Sequence, residues 1–241
     1  MKIALLLTGH LRTHRNHLPF TMQNIMLKGD CDIYCATWNC LGLKGEDRVV
    51  TPKDLSIYEP RLKNFAINDF DEYERTKKEF KRAEKGEVKF WENKEGGRQY
   101  ALAEYDYGTD DYWVNRIIDQ WHTVKKGFEL IKDPEQYDLI FRLRYDTRVT
   151  HVNLLTDKDI VVPHPHPYEH LYAMRDHLAY GTPEGMRKYC NIYDHAEEMF
   201  INNINLRAEG LLHYYLENIE PEIGFYVDPN FVEYKNYWIM K

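Results

Sequence analysis

From Tyr137 to Asp146 the chain reads Tyr-Asp-Leu-Ile-Phe-Arg-Leu-Arg-Tyr-Asp, the pattern of a buried strand with charge along one side. On a two-residue period Leu139, Phe141, Leu143 and Tyr145 share one face, and Ile140, Arg142, Arg144 and Asp146 share the other. So apolar a segment belongs inside a sheet, yet unpaired buried ions cost several kcal/mol each. The charged row therefore needs partner carboxylates, or a bound anion with its metal. The second alternative makes this strand the floor of a site.

The flanking sequence sets that strand in an α/β sheet. Lys2 to Leu7 is a continuous apolar run, as in a parallel strand covered on both faces. A second strand is expected over Asp32 to Thr37. Between them a helix over Leu18 to Leu27 would carry Leu18, Met22, Ile25 and Met26 on one side, giving a β-α-β opening. From Asp69 to about Lys94 the charges alternate in sign, which predicts a solvated helical excursion spanning about 66–100 and ending near Glu95-Gly96-Gly97-Arg98. Asp110 or Asp111 caps the next helix. Its stripe of Trp113, Ile117, Trp121, Val124, Phe128 and Ile131 steps at helical spacing and reads as core. Downstream the sequence predicts a strand over Asp159 to Val162, extended loop from Pro163 to Pro167 and a strand over Leu178 to Gly181. A helix capped by Thr182 with Pro183 in its first turn follows, with Met186, Tyr189, Tyr193 and Phe200 inward. A last helix over Ala208 to Glu217 and a strand over Phe225 to Val227 close the chain. The whole reads as a single domain, 1–241, with a mostly parallel sheet flanked by helices.

Composition narrows the function classes. A net charge of −7 argues against nucleic acid as the main partner. No run approaches the length needed to span a bilayer, and no export signal is evident, so a cytoplasmic location is expected. The four cysteines, Cys31, Cys35, Cys40 and Cys190, match no common zinc spacing and read as reduced thiols. His164 and His166 alternate with prolines, and with His170 nearby they read as solvated loop rather than a metal cluster. Aromatics reach 14%, with nineteen tyrosines, which suits sugars and nucleobases as well as cores.

In open α/β sheets ligands bind at the carboxyl ends of strands. Three such ends are unusual: Thr8-Gly9-His10-Leu11-Arg12, Thr37-Trp38-Asn39 and Arg144-Tyr145-Asp146. Together they suit a diphosphate against Arg12 and the Gly9 backbone, a base near Trp38 or Asn39, and a divalent metal on Asp146. Neither the glycine-rich dinucleotide motif nor a P-loop is present.

The ordered blocks resemble a group of viral and bacterial polysaccharide glycosyltransferases. These blocks are Ala4 to Arg12, Asp32 to Asn39, Gln120-Trp121, Tyr137 to Asp146, and Asp176 to Gly181 with Met186 and Tyr189. They cover most of the chain outside roughly 45–110. The resemblance implies a GT-A-like, Rossmann-like fold, a nucleotide-sugar donor, a glycan acceptor and a Mn²⁺ or Mg²⁺ ion. Donor contacts would come from Thr8, Gly9, His10, Arg12, Thr37, Trp38, Asn39, Arg142 and Arg144, with Asp146 on the metal. Arg144 stands where the first carboxylate of the Asp-x-Asp metal motif would be. Asp176 is the first candidate for the group that takes the acceptor's proton or stabilises an oxocarbenium-like centre, and Glu209 the second. The other classes left open are a nucleotidyltransferase acting on sugar phosphates and a non-catalytic carbohydrate-binding protein.

Overall fold

Two hydrophobic layers sandwich one sheet. A computed structural model describes residues 1–12, 14–41, 49–80, 111–149, 151–152, 154–163, 176–201 and 208–228. Its strands are β1 (Lys2–Thr8), β2 (Asp30–Trp38), β3 (Leu62–Asn68), β4 (Leu139–Arg144), β5 (Ile160–Pro163), β6 (Leu178–Gly181) and β7 (Phe225–Asp228), in the spatial order β3-β2-β1-β4-β6-β5-β7. Every pairing is parallel except the two made by β6, which runs against β4 and β5. The fold is mixed α/β with a seven-stranded, mostly parallel central sheet flanked by helices.

The alternation read along β4 holds. Leu139, Phe141, Leu143 and Tyr145 join one core layer with Ile3, Leu5, Leu7, Ile33 and Tyr180. Ile140 joins the other, with Ala4, Leu6 and the inner faces of three helices: α4 (Asp111–Phe128), α5 (Pro183–Cys190) and α7 (Ala208–Tyr214). Ile117, Trp121, Val124, Phe128 and Ile131 line the inner side of α4 or the turn after it, as their spacing requires. Asp110 and the Trp113 side chain lie outside what is described. Gly127 lets α4 sit close on the sheet. A Cβ there would come 2.6 Å from Leu6 Cδ1 and 3.0 Å from Thr8 Cγ2, so a larger residue forces the Leu6 side chain or the helix to shift.

Several boundaries differ from the sequence reading. Helix α1 spans His14–Asn24, and a short 3₁₀ turn over Met26–Lys28 follows. Its buried residues are His14, His17 and Thr21, while Met22 is exposed. Polar inner residues hid the true face, and Pro19 inside the helix made its start look late. The charged stretch yields α3 (Phe70–Thr76), capped by the Asp69 side chain accepting from Glu72 N at 2.9 Å; residues 81–110 lie outside the description. Pro163 ends β5 instead of opening a loop. It faces only β7 in the ladder, where its missing N–H does not break the β6 pairing. Residues 164–175, including His164, His166 and His170, are outside the description. At α5 the expectation holds: the Thr182 hydroxyl accepts from Gly185 N at 3.1 Å, with Pro183 in the first turn. Helices α2 (Pro52–Leu55) and α6 (Ala196–Ile201) are short, and past α7 one π-helical turn covers Tyr215–Ile219. No helix among the described residues is long and apolar enough to cross a membrane.

Candidate active site at the carboxyl edge of the sheet

Between β1 and β4 the connections part: α1 leads from β1 to β2 on one side, and α4 enters β4 from the opposite face. Crevices open at such a switch point, outside the carboxyl ends of the strands. The reversed strand β6 adds to the same edge. Because it is antiparallel, its first residues rather than its last lie there, and the His177 carbonyl accepts from Arg144 N at 3.0 Å.

The loop after β1 is shaped by two unusual residues. Gly9 has φ +102°, a conformation that a β-carbon strains, and its N–H donates to the Ala36 carbonyl at 3.1 Å. That N–H extends the β1–β2 ladder and does not point to an anion, contrary to the sequence expectation. Arg12 has φ +33°, rare for a side chain of its size, and its guanidinium reaches Asp146 (Nη1 to Oδ2, 3.1 Å). From β4, Arg144 binds the same carboxylate through two bonds, Nε to Oδ1 at 3.0 Å and Nη2 to Oδ2 at 2.8 Å. Burial alone would raise the Asp146 carboxyl; the Arg144 and Arg12 guanidiniums outweigh it and hold the group well below the usual carboxylate range.

Arg142 lies one turn of the pleat deeper and is 0% exposed. It donates through Nε to the Thr8 hydroxyl at 3.0 Å and through Nη1 to the Asp176 carbonyl, and its guanidinium sits 5.9 Å from the Trp121 ring. Arg142 thus ties β1 to the start of β6 beneath the crevice. Asp176 is buried beside it. Gln120 donates to Asp176 Oδ2, Arg144 Nη1 stands 4.0 Å from that oxygen, and His177 Nε2 stands 3.4 Å from Oδ1. Burial pushes the Asp176 carboxyl up, but His177 and the two arginines reverse the direction and hold it low. Burial takes His177 down to about 4 and His10 likewise to about 4, so both imidazoles are neutral at pH 7. Three guanidiniums then face two carboxylates, leaving a positive balance at the edge.

The remaining sequence candidates separate. His10 holds the Cys40 carbonyl at 3.2 Å and lies 6.4 Å from the Trp38 ring, at the rim. Trp38, 1% exposed, is covered by Phe70, Tyr73 and His122 at ring distances of 5.2, 4.9 and 5.9 Å. It packs in the core instead of offering a face to a nucleobase. Thr37 is buried too, and its carbonyl accepts from Asn68. Asn39, half-buried, accepts from Phe70 N at 3.1 Å and fixes the start of α3. Glu209 sits half-buried in the first turn of α7, whose Leu211 and Leu212 anchor it in the core.

The sequence reading left His177, Gln120 and Arg116 out of the site residues. His177 adjoins Asp176, and Arg116 and Gln120 stand one turn apart on α4; that adjacency was the available signal. Arg116 acts electrostatically on both His10 and Arg12.

The resemblance implied a divalent ion on Asp146, and the donor set does not fit one. Both carboxylate oxygens are taken by guanidiniums. No cluster of three His, Cys, Asp or Glu side chains able to hold a metal occurs among the described residues. Unit charges at about 4 Å interact by roughly 4 kcal/mol at intermediate dielectric, so a dication beside two guanidiniums meets several kcal/mol of repulsion.

No family model matches the chain, and no curated protein does. Among solved structures the chain is similar to a glycosyltransferase involved in the glycosylation of the major capsid of PBCV-1. The identity is 9%, over 95% of this chain and 83% of that one, with a TM-score of 0.45. It is also similar to the galactosyltransferase LgtC in complex with donor and acceptor sugar analogs. There the identity is 9%, over 88% of this chain and 69% of that one, with a TM-score of 0.48. Likeness at this level carries nothing about chemistry, which has to be read from the residues themselves.

Proposed function

We propose that the chain is a glycosyltransferase, one domain over 1–241, that moves a sugar from a nucleotide-diphosphate donor to a hydroxyl of a glycan acceptor. The observation that carries this reading is the Arg12–Asp146–Arg144 group at the β1/β4 switch point: two guanidinium forks fixed by one carboxylate, at the edge where α/β sheets bind ligands. Planar forks match phosphate oxygens, and the positive balance favours an anion. A carbohydrate-binding protein needs no such buried cationic row.

In this reading Arg12 and Arg144 face the diphosphate, and Thr8 and Arg142 hold the floor beneath them. Gly9 supplies the turn, and His10 and Asn39 form the rim towards the nucleoside. Thr37 and Trp38 support the rim from the core. The C1–O bond to the diphosphate breaks with its electron pair on the phosphate oxygen, and the acceptor oxygen bonds to C1. Asp176, held ionised, stabilises positive charge at C1; its low pKa suits that task better than proton transfer. The acceptor's proton passes to a carboxylate, for which Glu209 is the candidate.

A panel of UDP-, GDP-, CDP- and dTDP-sugars tests the proposal by thermal shift and by donor hydrolysis. At least one donor is expected to raise the melting temperature and to release nucleoside diphosphate. Asp176→Asn is expected to keep donor binding and lose turnover. A protein that neither binds nor hydrolyses any of them is no glycosyltransferase of this kind. Release of pyrophosphate from a nucleoside triphosphate would point to nucleotidyl transfer instead.

A further inference from the structure

We infer that guanidinium groups, and no divalent cation, supply the counter-charge for the donor's diphosphate. This rests on the transferase reading and adds to it the means by which the leaving group is neutralised. Three observations converge on it. The position two residues before Asp146 carries Arg144, and its side chain folds back to bind Asp146 through two parallel bonds, 3.0 and 2.8 Å long. Arg12 reaches the same carboxylate from the neighbouring strand end, by way of a backbone conformation that few non-glycine residues adopt. A buried third arginine, Arg142, braces both strands below them through Thr8 and the Asp176 carbonyl.

Asp146 is then a clamp and not a ligand. One carboxylate accepts at a few positions, whereas the Arg12 guanidinium carries five donors and uses one of them on Asp146 at 3.1 Å. With 29% of its side chain exposed, Arg12 opens that pair to the crevice. When the C1–O bond breaks, the electron pair left on the diphosphate oxygen meets two fixed positive groups. No ion has to be captured with the substrate. The chemical class selected is a diphosphate ester that arrives without a bound cation.

The test is binding of UDP, GDP and inorganic pyrophosphate by calorimetry, in EDTA and then with Mn²⁺. Dissociation constants are expected to agree within about twofold between the two conditions, as a cation-free site demands. Arg144→Ala and Arg12→Ala are each expected to weaken binding in EDTA by roughly 10- to 100-fold. Arg144→Asp recreates a pair of carboxylates; its binding is expected to vanish in EDTA and to return in part with Mn²⁺. Circular dichroism confirms that each variant folds, and the more exposed Arg12 serves if Arg144 variants do not. Wild-type binding that requires Mn²⁺ overturns this inference and leaves glycosyl transfer standing. Failure of all three probes in both conditions overturns both.

Discussion

Two carboxylates, each beside an arginine, have their pKa values moved in opposite directions. Asp146 is gripped at 2.8 to 3.1 Å by Arg144 and Arg12 and is held ionised well below the usual range. Asp119, on the inner side of α4, has Arg116 at 3.8 Å and Lys77 at 3.9 Å. Burial pushes its carboxyl up to about 6, and these cations recover only part of the loss. The difference is one of geometry: direct charge-assisted bonds offset desolvation, and an ångström of extra separation does not. Only the first arrangement fixes its cations in place, which is why the crevice above Asp146, and not the aromatic cluster of Tyr73, His122 and Tyr193 beside Asp119, reads as the place for an anion.

The largest expected effect is at the tight site. Asp146→Ala leaves two partly buried guanidiniums facing each other, and the loss is expected to be about 3 kcal/mol by urea denaturation. An unchanged midpoint would mean that the pairings contribute nothing, and the contrast with Asp119 would collapse.

At the loose site the sign reverses. The folded carboxyl of Asp119 titrates near 6, above its unfolded value of about 3.9. Its ionisation therefore opposes folding fully above pH 6, and the penalty disappears as pH falls towards 4. Asp119→Asn is expected to stabilise the protein by about 2 kcal/mol at pH 8 and by little at pH 4. Lys77 keeps Glu74 as a partner at 2.8 Å, so it is not stranded. A variant destabilised at pH 8 would show that the long ion pairs matter more than desolvation.

Lowered histidines stand in both regions, and His10 and His122 serve for the comparison. Burial lowers His10, at the edge, and His122, beside Asp119, to about 4, below the unfolded value of about 6.5. A depressed histidine contributes stability that is present above the unfolded pKa and is lost as pH falls from 6.5 towards 4. Together they are expected to remove about 1 kcal/mol between pH 7 and 6. Ring-proton NMR checks the cause: neither imidazole should titrate above pH 5.5. The smallest effect is a reference distant from both carboxylates. Thr182→Ala removes the cap of α5 and should cost about 1 kcal/mol of thermal stability without changing nucleotide binding.

The sequence made the strand alternation of β4, the apolar stripe of α4 and the Thr182 cap legible, because each depends on local periodicity or on one short motif. It also brought Arg12, Arg144, Asp146 and Asp176 forward, since strand ends carry residues that strands otherwise avoid. What it hid was three-dimensional. The inner face of α1 is made of His14, His17 and Thr21, residues that periodicity counts as outward. Trp38 looked like a base platform until α3 was seen to cover it. Whether Arg142 and Arg144 pair with carboxylates or await an anion depended on partners 34 residues away for one and two for the other, and only the fold distinguishes them.

The reversal of β6 has a consequence for what can change at this edge without disturbing the sheet. Because β5 ends at Pro163 and β6 begins at Leu178, both ends of their connection lie at the edge that carries Arg144 and Asp146. A change of length or sequence between those ends leaves the paired residues Ile160, Val161, Tyr180 and Gly181 as they are. A lineage, or an engineer, can therefore rewrite one contiguous stretch of gene beside Arg144 and Asp146 and leave those residues untouched.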